Sequence, residues 1–216
     1  MAYALCVRLL YCHGFASGPR SMKGMAFEAH YAGRIPIDRL DLRVPSLEHL
    51  RLSAMIETVR AAIPDDGAIL VGSSLGGLTA ARVAETDTRV VALVLMAPAF
   101  QLIARWRQRT DWDAWQRTGW LAIHDFAHNR PARVDFGFAE DAERVDVGYP
   151  DVRVPTLVLH GTGDETVSID RSRDFVAGNP HARLVELDDG HELVASVPRI
   201  LAETDRFLTS FGVAGS

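Results

Sequence analysis

The sequence predicts an α/β fold: a mostly parallel central sheet with helices on both faces and one insertion over the C-terminal ends of the strands. Three observations predict it. The apolar runs are short, rich in β-branched residues and widely spaced. They are near-continuous rather than alternating, as expected of strands covered on both faces. The segments between them carry helical periodicity, and strands alternating with helices specify right-handed crossovers. The chain has 216 residues, with no internal repeat and no low-complexity linker, so it is read as one domain spanning 1–216.

Taken in order, the first strand is expected in "ALCVRLLYC" (4–12). Arg8 interrupts this run and no basic region precedes it, so it reads as a strand and not a secretion signal. Cys6 and Cys12 would share one face of that strand, too far apart along it to bridge each other. They read as small buried hydrophobes in a reducing compartment. A helix follows over 46–63, with Ser46 as its cap and Leu47, Leu50, Met55, Val59 and Ala62 near one face. The second strand is "AILVG" (68–72), leading into the helical "LGGLTAARVAE" (75–85). "VVALVLMAP" (90–98), "TLVLHG" (156–161) and "ARLVEL" (182–187) are further strands, and 168–178 and 197–211 are helices. Residues 99–150 break the rhythm. They hold Trp106, Trp112, Trp115 and Trp120 with many charges, and read as a mainly helical, cap-like insertion.

Bulk properties exclude several classes of function. The net charge of −5 gives no electrostatic reason to expect nucleic acid or an anionic membrane as partner. The arginines of "ARWRQR" read as a solvated helix face. No apolar stretch approaches the roughly 20 residues of a membrane span, so a soluble, cytoplasmic protein is expected.

Chemistry concentrates where strands end. Gly72-Ser73-Ser74-Leu75-Gly76 fits G-x-S-x-G, directly after a strand and directly before a helix. A serine there is either a helix cap or a nucleophile on a strained bend, exposed to the helix N-terminus. A hydroxyl attacks only when a base takes its proton, and a histidine oriented by a carboxylate is the usual base. His191 in "LDDGHELV" and Asp164 in "TLVLHGTGDETV" both lie in loops that leave strand ends. In a parallel sheet those ends share one edge, so Ser74, Asp164 and His191 can converge. Asp170 and Glu165 are second choices for the carboxylate. Asp188 and Asp189 adjoin His191 in the chain and are expected to shape its turn. The N–H of Leu75 and that of Phe15, in the loop after the first strand, are the candidate oxyanion donors. His13 is expected to order that loop.

These stretches carry a resemblance. "CHGF", "GSSLGG", "HGTGDETV" and "DGH" are similar to the signature loops of α/β-hydrolase fold serine hydrolases. The opening "YCHGFASGPRSMK" and the early "RIPIDRLDLR" resemble small bacterial esterases and thioesterases of the YqiA type. The resemblance implies Ser74, Asp164 and His191 as a triad, and ester or thioester hydrolysis of a small-molecule substrate through an acyl-enzyme, without cofactor or metal. A small-molecule receptor on the same fold, an acyltransferase and a peptidase are the alternatives.

The remaining candidates are weaker. Met96, Phe100 and the four tryptophans Trp106, Trp112, Trp115 and Trp120 could line an apolar substrate pocket, or simply pack the insertion. His124 and His128 in "HDFAH" would share a helix face, but no third ligand accompanies them, so no metal is expected. His30, His49 and His181 are expected at the surface.

Overall fold

The computed structural model describes residues 7–210. Cys6, and with it the first part of the N-terminal strand and the pairing of the cysteines on one face, lies outside them. Six strands form a wholly parallel sheet: β1 (Arg8–Cys12), β2 (Ile37–Leu40), β3 (Ala68–Ser73), β4 (Val90–Met96), β7 (Thr156–Gly161) and β8 (Ala182–Leu187). Their spatial order is β2-β1-β3-β4-β7-β8. The chain therefore runs outward from β1 to β2, then returns to the other side of β1 and continues from β3. The reversal lies between β1 and β3, where open sheets of this kind leave a crevice at the C-terminal strand ends.

Period-two alternation divides the core. Leu10, Cys12, Leu70, Leu93, Leu95 and Val158 face one side, with α2 (Leu52–Ala62), α3 (Leu75–Ala84) and α7 (Asp170–Ala177). Leu9, Tyr11, Ile69, Val71, Val94, Met96, Leu157 and Leu159 face the other, against α1 (Met22–Tyr31) and α8 (Val197–Thr209). These side chains are fully buried or nearly so, which is why the strands read as unbroken apolar runs. No helix among the described residues is long and apolar enough to cross a membrane.

Two elements go beyond the sequence reading. Helix α1 is capped by Ser21, whose Oγ accepts from the Gly24 N–H at 3.3 Å. Strand β2 is a four-residue edge strand. Conversely, the expected helix over 46–63 begins only at Leu52. Ser46 Oγ accepts from the His49 N–H at 3.2 Å in a preceding turn, and Arg51 occupies the N-cap position.

The insertion also departs from expectation. It contains helices α4 (Leu102–Arg109), α5 (Trp112–Thr118) and α6 (Gly137–Val145), but also an antiparallel hairpin, β5 (Trp120–Asp125) with β6 (Arg130–Asp135). His124 lies on β5 and His128 in the hairpin turn, so they do not share a helix face. Trp106, Trp112, Trp115, Val134 and Phe138 are buried in the same hydrophobic cluster as one face of the sheet. The Trp115 indole N–H donates to the Val134 carbonyl at 3.2 Å, fastening α5 to the hairpin.

Candidate functional site

Ser74 follows β3 directly, with φ 53° and ψ −117°, a conformation that a non-glycine residue adopts only under constraint. The constraint is main chain. The Ser74 N–H donates to the Met96 carbonyl at 2.9 Å, and its carbonyl accepts from Ala99 at 3.0 Å. Two glycines make the bend possible. A Cβ on Gly72 would fall 2.5 Å from the Gly76 carbonyl oxygen, and one on Gly76 would fall 2.2 Å from the Cys12 carbonyl oxygen. Strand β3, helix α3 and the end of β1 therefore touch through bare backbone.

The structure brings the three residues expected from the sequence together. Ser74 Oγ lies 3.0 Å from His191 Nε2, and His191 Nδ1 lies 2.7 Å from Asp164 Oδ2. A carboxylate only accepts, so Nδ1 carries the proton and Nε2 is left to accept from the serine hydroxyl. The two loops are joined by backbone: Gly163 N–H donates to Asp189 O at 3.0 Å and Thr162 N–H to Leu187 O at 2.8 Å. Asp189 shapes the histidine turn, accepting from Gly190 N–H at 2.7 Å and Ser196 N–H at 2.9 Å.

The Asp164 side chain is buried and heavily engaged. Oδ1 accepts from the N–H groups of Thr166 and Val167, both at 2.8 Å. Oδ2 accepts from His191 and also from His160 Nε2 at 3.1 Å. Burial disfavours its charge, but the hydrogen bonds from His160, His191 and Val167 outweigh it and hold the carboxyl well below the usual carboxylate range.

His160 is a residue that sequence reasoning passed over, because a lone histidine ending an apolar strand reads as core. It is fully buried. Its Nε2–H is shared between Asp164 and the Val167 carbonyl, at 2.9 Å from the latter, while Nδ1 accepts from Ser172 Oγ at 2.7 Å. Lys23 on α1 ends the stretch "YCHGFASGPRSMK", which by itself assigns the lysine no role. Its Nζ donates to the backbone carbonyl of Glu192 at 2.6 Å, anchoring the residue after His191. Burial lowers its pKa, against the opposing charges of Glu192, Asp189 and Asp164.

The loop after β1 closes over the serine. A Cβ on Gly14 would lie 3.4 Å from both the Ser73 carbonyl oxygen and Ser74 Cβ. His13 orders this loop: Nδ1–H donates to Gly14 O at 2.9 Å and Nε2 accepts from Leu42 N–H at 3.0 Å. Phe15 follows, and Leu75 opens α3, where the first-turn N–H groups have no intrahelical acceptor. The hairpin tip docks on the same loop, with Phe126 N–H donating to Ala16 O at 2.9 Å.

A cleft of about 840 Å³ opens above Ser74 and His191, walled in part by Phe15, Lys23, Arg105, Trp106 and Phe126. Of the apolar residues suggested as pocket lining, Trp106 lines it. Met96 and Phe100 are buried in the core, Phe100 against Phe175. Trp112 and Trp115 pack around Phe136, and Trp120 sits against the Arg133 guanidinium on the hairpin. Trp112 and Trp115 belong to α5 and Trp120 to β5, and their rings are engaged in these contacts within the insertion. The arginine-rich face also divides: Arg107 points outward to Trp112, while Arg105 turns into the cleft wall. His49 and His181 are exposed, and His30 is half-buried, bonded to Asp205 at 2.7 Å.

Residues 8–207 match the family described as "Uncharacterised protein family (UPF0227)". The chain belongs to UPF0227. This is the YqiA-type family that the opening motifs resemble. No curated protein matches this UPF0227 chain in sequence. Solved structures share its fold. Mouse alpha/beta hydrolase domain-containing protein 10 superposes with TM-score 0.76 at 19% identity, over 94% of this chain and 90% of that one. Est1E from Butyrivibrio proteoclasticus with bound ferulic acid gives 0.77 at 18%, over 97% and 90%. A hydrolase from Pseudomonas aeruginosa gives 0.71 at 20%, over 94% and 89%. At these identities the likeness establishes the α/β-hydrolase fold.

Proposed function

We propose that this UPF0227 protein is a serine hydrolase that cleaves carboxylic ester or thioester bonds of small molecules through an acyl-enzyme. The observation that carries the reading is the continuous relay from Ser74 Oγ through His191 to Asp164, at 3.0 and 2.7 Å, on a serine held at positive φ. A helix cap would not require it. In this reading Ser74 Oγ attacks the carbonyl carbon while its proton passes to His191 Nε2. Asp164 keeps the imidazole in the accepting tautomer and stabilises the imidazolium. The Phe15 and Leu75 N–H groups hold the oxyanion of the tetrahedral intermediate. His191 then protonates the departing alkoxide or thiolate, and the acyl group stays on Ser74. Water, deprotonated by His191, attacks the acyl-enzyme and releases the acid, returning the proton to Ser74. The fold neighbour Est1E has ferulic acid bound, a carboxylic acid of the kind that ester hydrolysis releases, which is consistent with this chemistry.

The test compares wild type and Ser74→Ala for turnover of 4-nitrophenyl butyrate and for labelling by a fluorophosphonate, with the labelled residue found by mass spectrometry. Turnover is expected to fall on the order of 10⁶-fold and labelling to vanish. Labelling that persists, or that maps to Ser73, would sink the assignment.

A further inference from the structure

Arg105 on α4 lines the same cleft as Ser74 and His191, and its environment has no structural account. Nη1 donates to the Thr166 carbonyl at 3.0 Å, and it is the only guanidinium nitrogen of Arg105 with an acceptor among the described residues. Nε is buried with no hydrogen-bond partner. No carboxylate lies within 4.0 Å of the guanidinium among the described residues. Arg109, one turn further along the helix, points Nη1 at the same Thr166 carbonyl from 3.5 Å. Burial, and then the charge of Arg109, lower the Arg105 pKa to about 10, with Asp164 opposing. Asp164 is already committed to two histidines and two backbone N–H groups.

A partly desolvated guanidinium with unspent donors costs free energy that an apolar residue would not. The other cations of the cleft differ. Lys23 is tied to the Glu192 carbonyl, Arg43 pairs with Asp125 at 3.0 Å, and Arg20 is exposed to solvent, which hydrates its charge. Asp41 and Glu192 are the acids on the cleft wall, and neither pairs with Arg105.

We propose that the cleft takes an ester bearing a small oxyanion, a carboxylate or phosphate, and that Arg105 receives this charge. The inference rests on the hydrolase reading and adds a substrate class to it. A planar guanidinium binds such a group through two parallel N–H donors, which a lysine cannot reproduce. The charge can sit on the acyl chain or on the leaving group, and both place it in the same crevice.

The test uses two matched pairs, which separate these positions. The mono-4-nitrophenyl ester of adipic acid against 4-nitrophenyl hexanoate carries the charge on the acyl side. 4-(Carboxymethyl)phenyl hexanoate against 4-methylphenyl hexanoate carries it on the leaving group. Binding is followed by tryptophan fluorescence in a Ser74→Ala background, and turnover in the wild-type protein. In at least one pair the anionic member should bind tenfold or more tightly, and show a matching preference in kcat/KM. Arg105→Gln should cut that preference at least tenfold, Arg105→Lys should restore part of it, and Arg107→Gln, on the outward face of α4, should leave it alone. Added salt should weaken it. Equal binding of both members in both pairs, or a preference that survives Arg105→Gln, overturns the inference and leaves the hydrolase reading standing. An Arg105-dependent binding preference with no Ser74-dependent turnover upholds it and overturns the hydrolase reading instead.

Discussion

Replacing Asp164 by asparagine exchanges one carboxylate oxygen for an NH₂ and should nearly abolish turnover. Oδ1 accepts from two backbone N–H groups, Thr166 and Val167, both at 2.8 Å. An asparagine must keep its carbonyl oxygen there, because the flipped amide would set an NH₂ against both donors, at a cost of about 2 kcal/mol or more. The NH₂ then takes the place of Oδ2, 2.7 Å from His191 Nδ1 and 3.1 Å from His160 Nε2. A donor now faces Nδ1, so His191 must carry its proton on Nε2, which lies 3.0 Å from Ser74 Oγ. The serine proton loses its acceptor. The expected loss in kcat is about 10⁴-fold, the cost of the wrong tautomer when geometry is kept. Steady-state hydrolysis of 4-nitrophenyl hexanoate measures it, with circular dichroism confirming that the fold survives. A variant within tenfold of wild type would refute the tautomer argument and, with it, the role of Asp164.

Other predictions follow from the same packing. Gly76→Ala should destabilise by about 3 kcal/mol, because its Cβ would fall 2.2 Å from the Cys12 carbonyl oxygen and neither main chain can yield; urea denaturation checks this. Trp115→Ala, at the centre of the insertion, should cost roughly 3–5 kcal/mol by the same assay, with Trp115→Phe losing less. Burial lowers the pKa of His13 below that of an unfolded histidine, so as pH falls below about 6.5 the unfolded chain binds a proton that the folded protein refuses, and stability declines. His13→Gln should therefore flatten the change in urea midpoint between pH 7.5 and 5.5; an unchanged slope would assign the effect elsewhere.

Most of the central sheet was legible because its strands are covered on both faces, so burial wrote itself into the sequence as β-branched runs. Strand β2 escaped because it is a half-buried edge of four residues, Ile37–Leu40, behind a proline. Helix α1 escaped because Met22 and Met25 lie exposed beside buried Phe27 and Tyr31, which blurs its period. The hairpin escaped because its strands carry polar and charged residues on exposed positions and its turn, Phe126–Asn129, has no Asn-Gly or Asp-Gly pair. Ser74, Asp164 and His191 stood out since polar residues at the ends of buried strands have few structural uses. The second histidine on Asp164 did not. His160 reaches it from the end of β7, only four residues earlier in the chain, but no motif marks a lone histidine in an apolar strand as its partner. The same holds for Arg105, which shares a helix with the outward-facing Arg107 and differs from it only in direction.

The meeting of Gly76 with the Cys12 carbonyl has a consequence for how such a protein can diverge. The distance between the serine and the loop bearing Phe15 is gauged chiefly by peptide groups resting on one another. The exposed positions of the insertion can accumulate substitutions while that gauge stays set. Selection is free to redraw the walls of the crevice without retuning what lies at its floor.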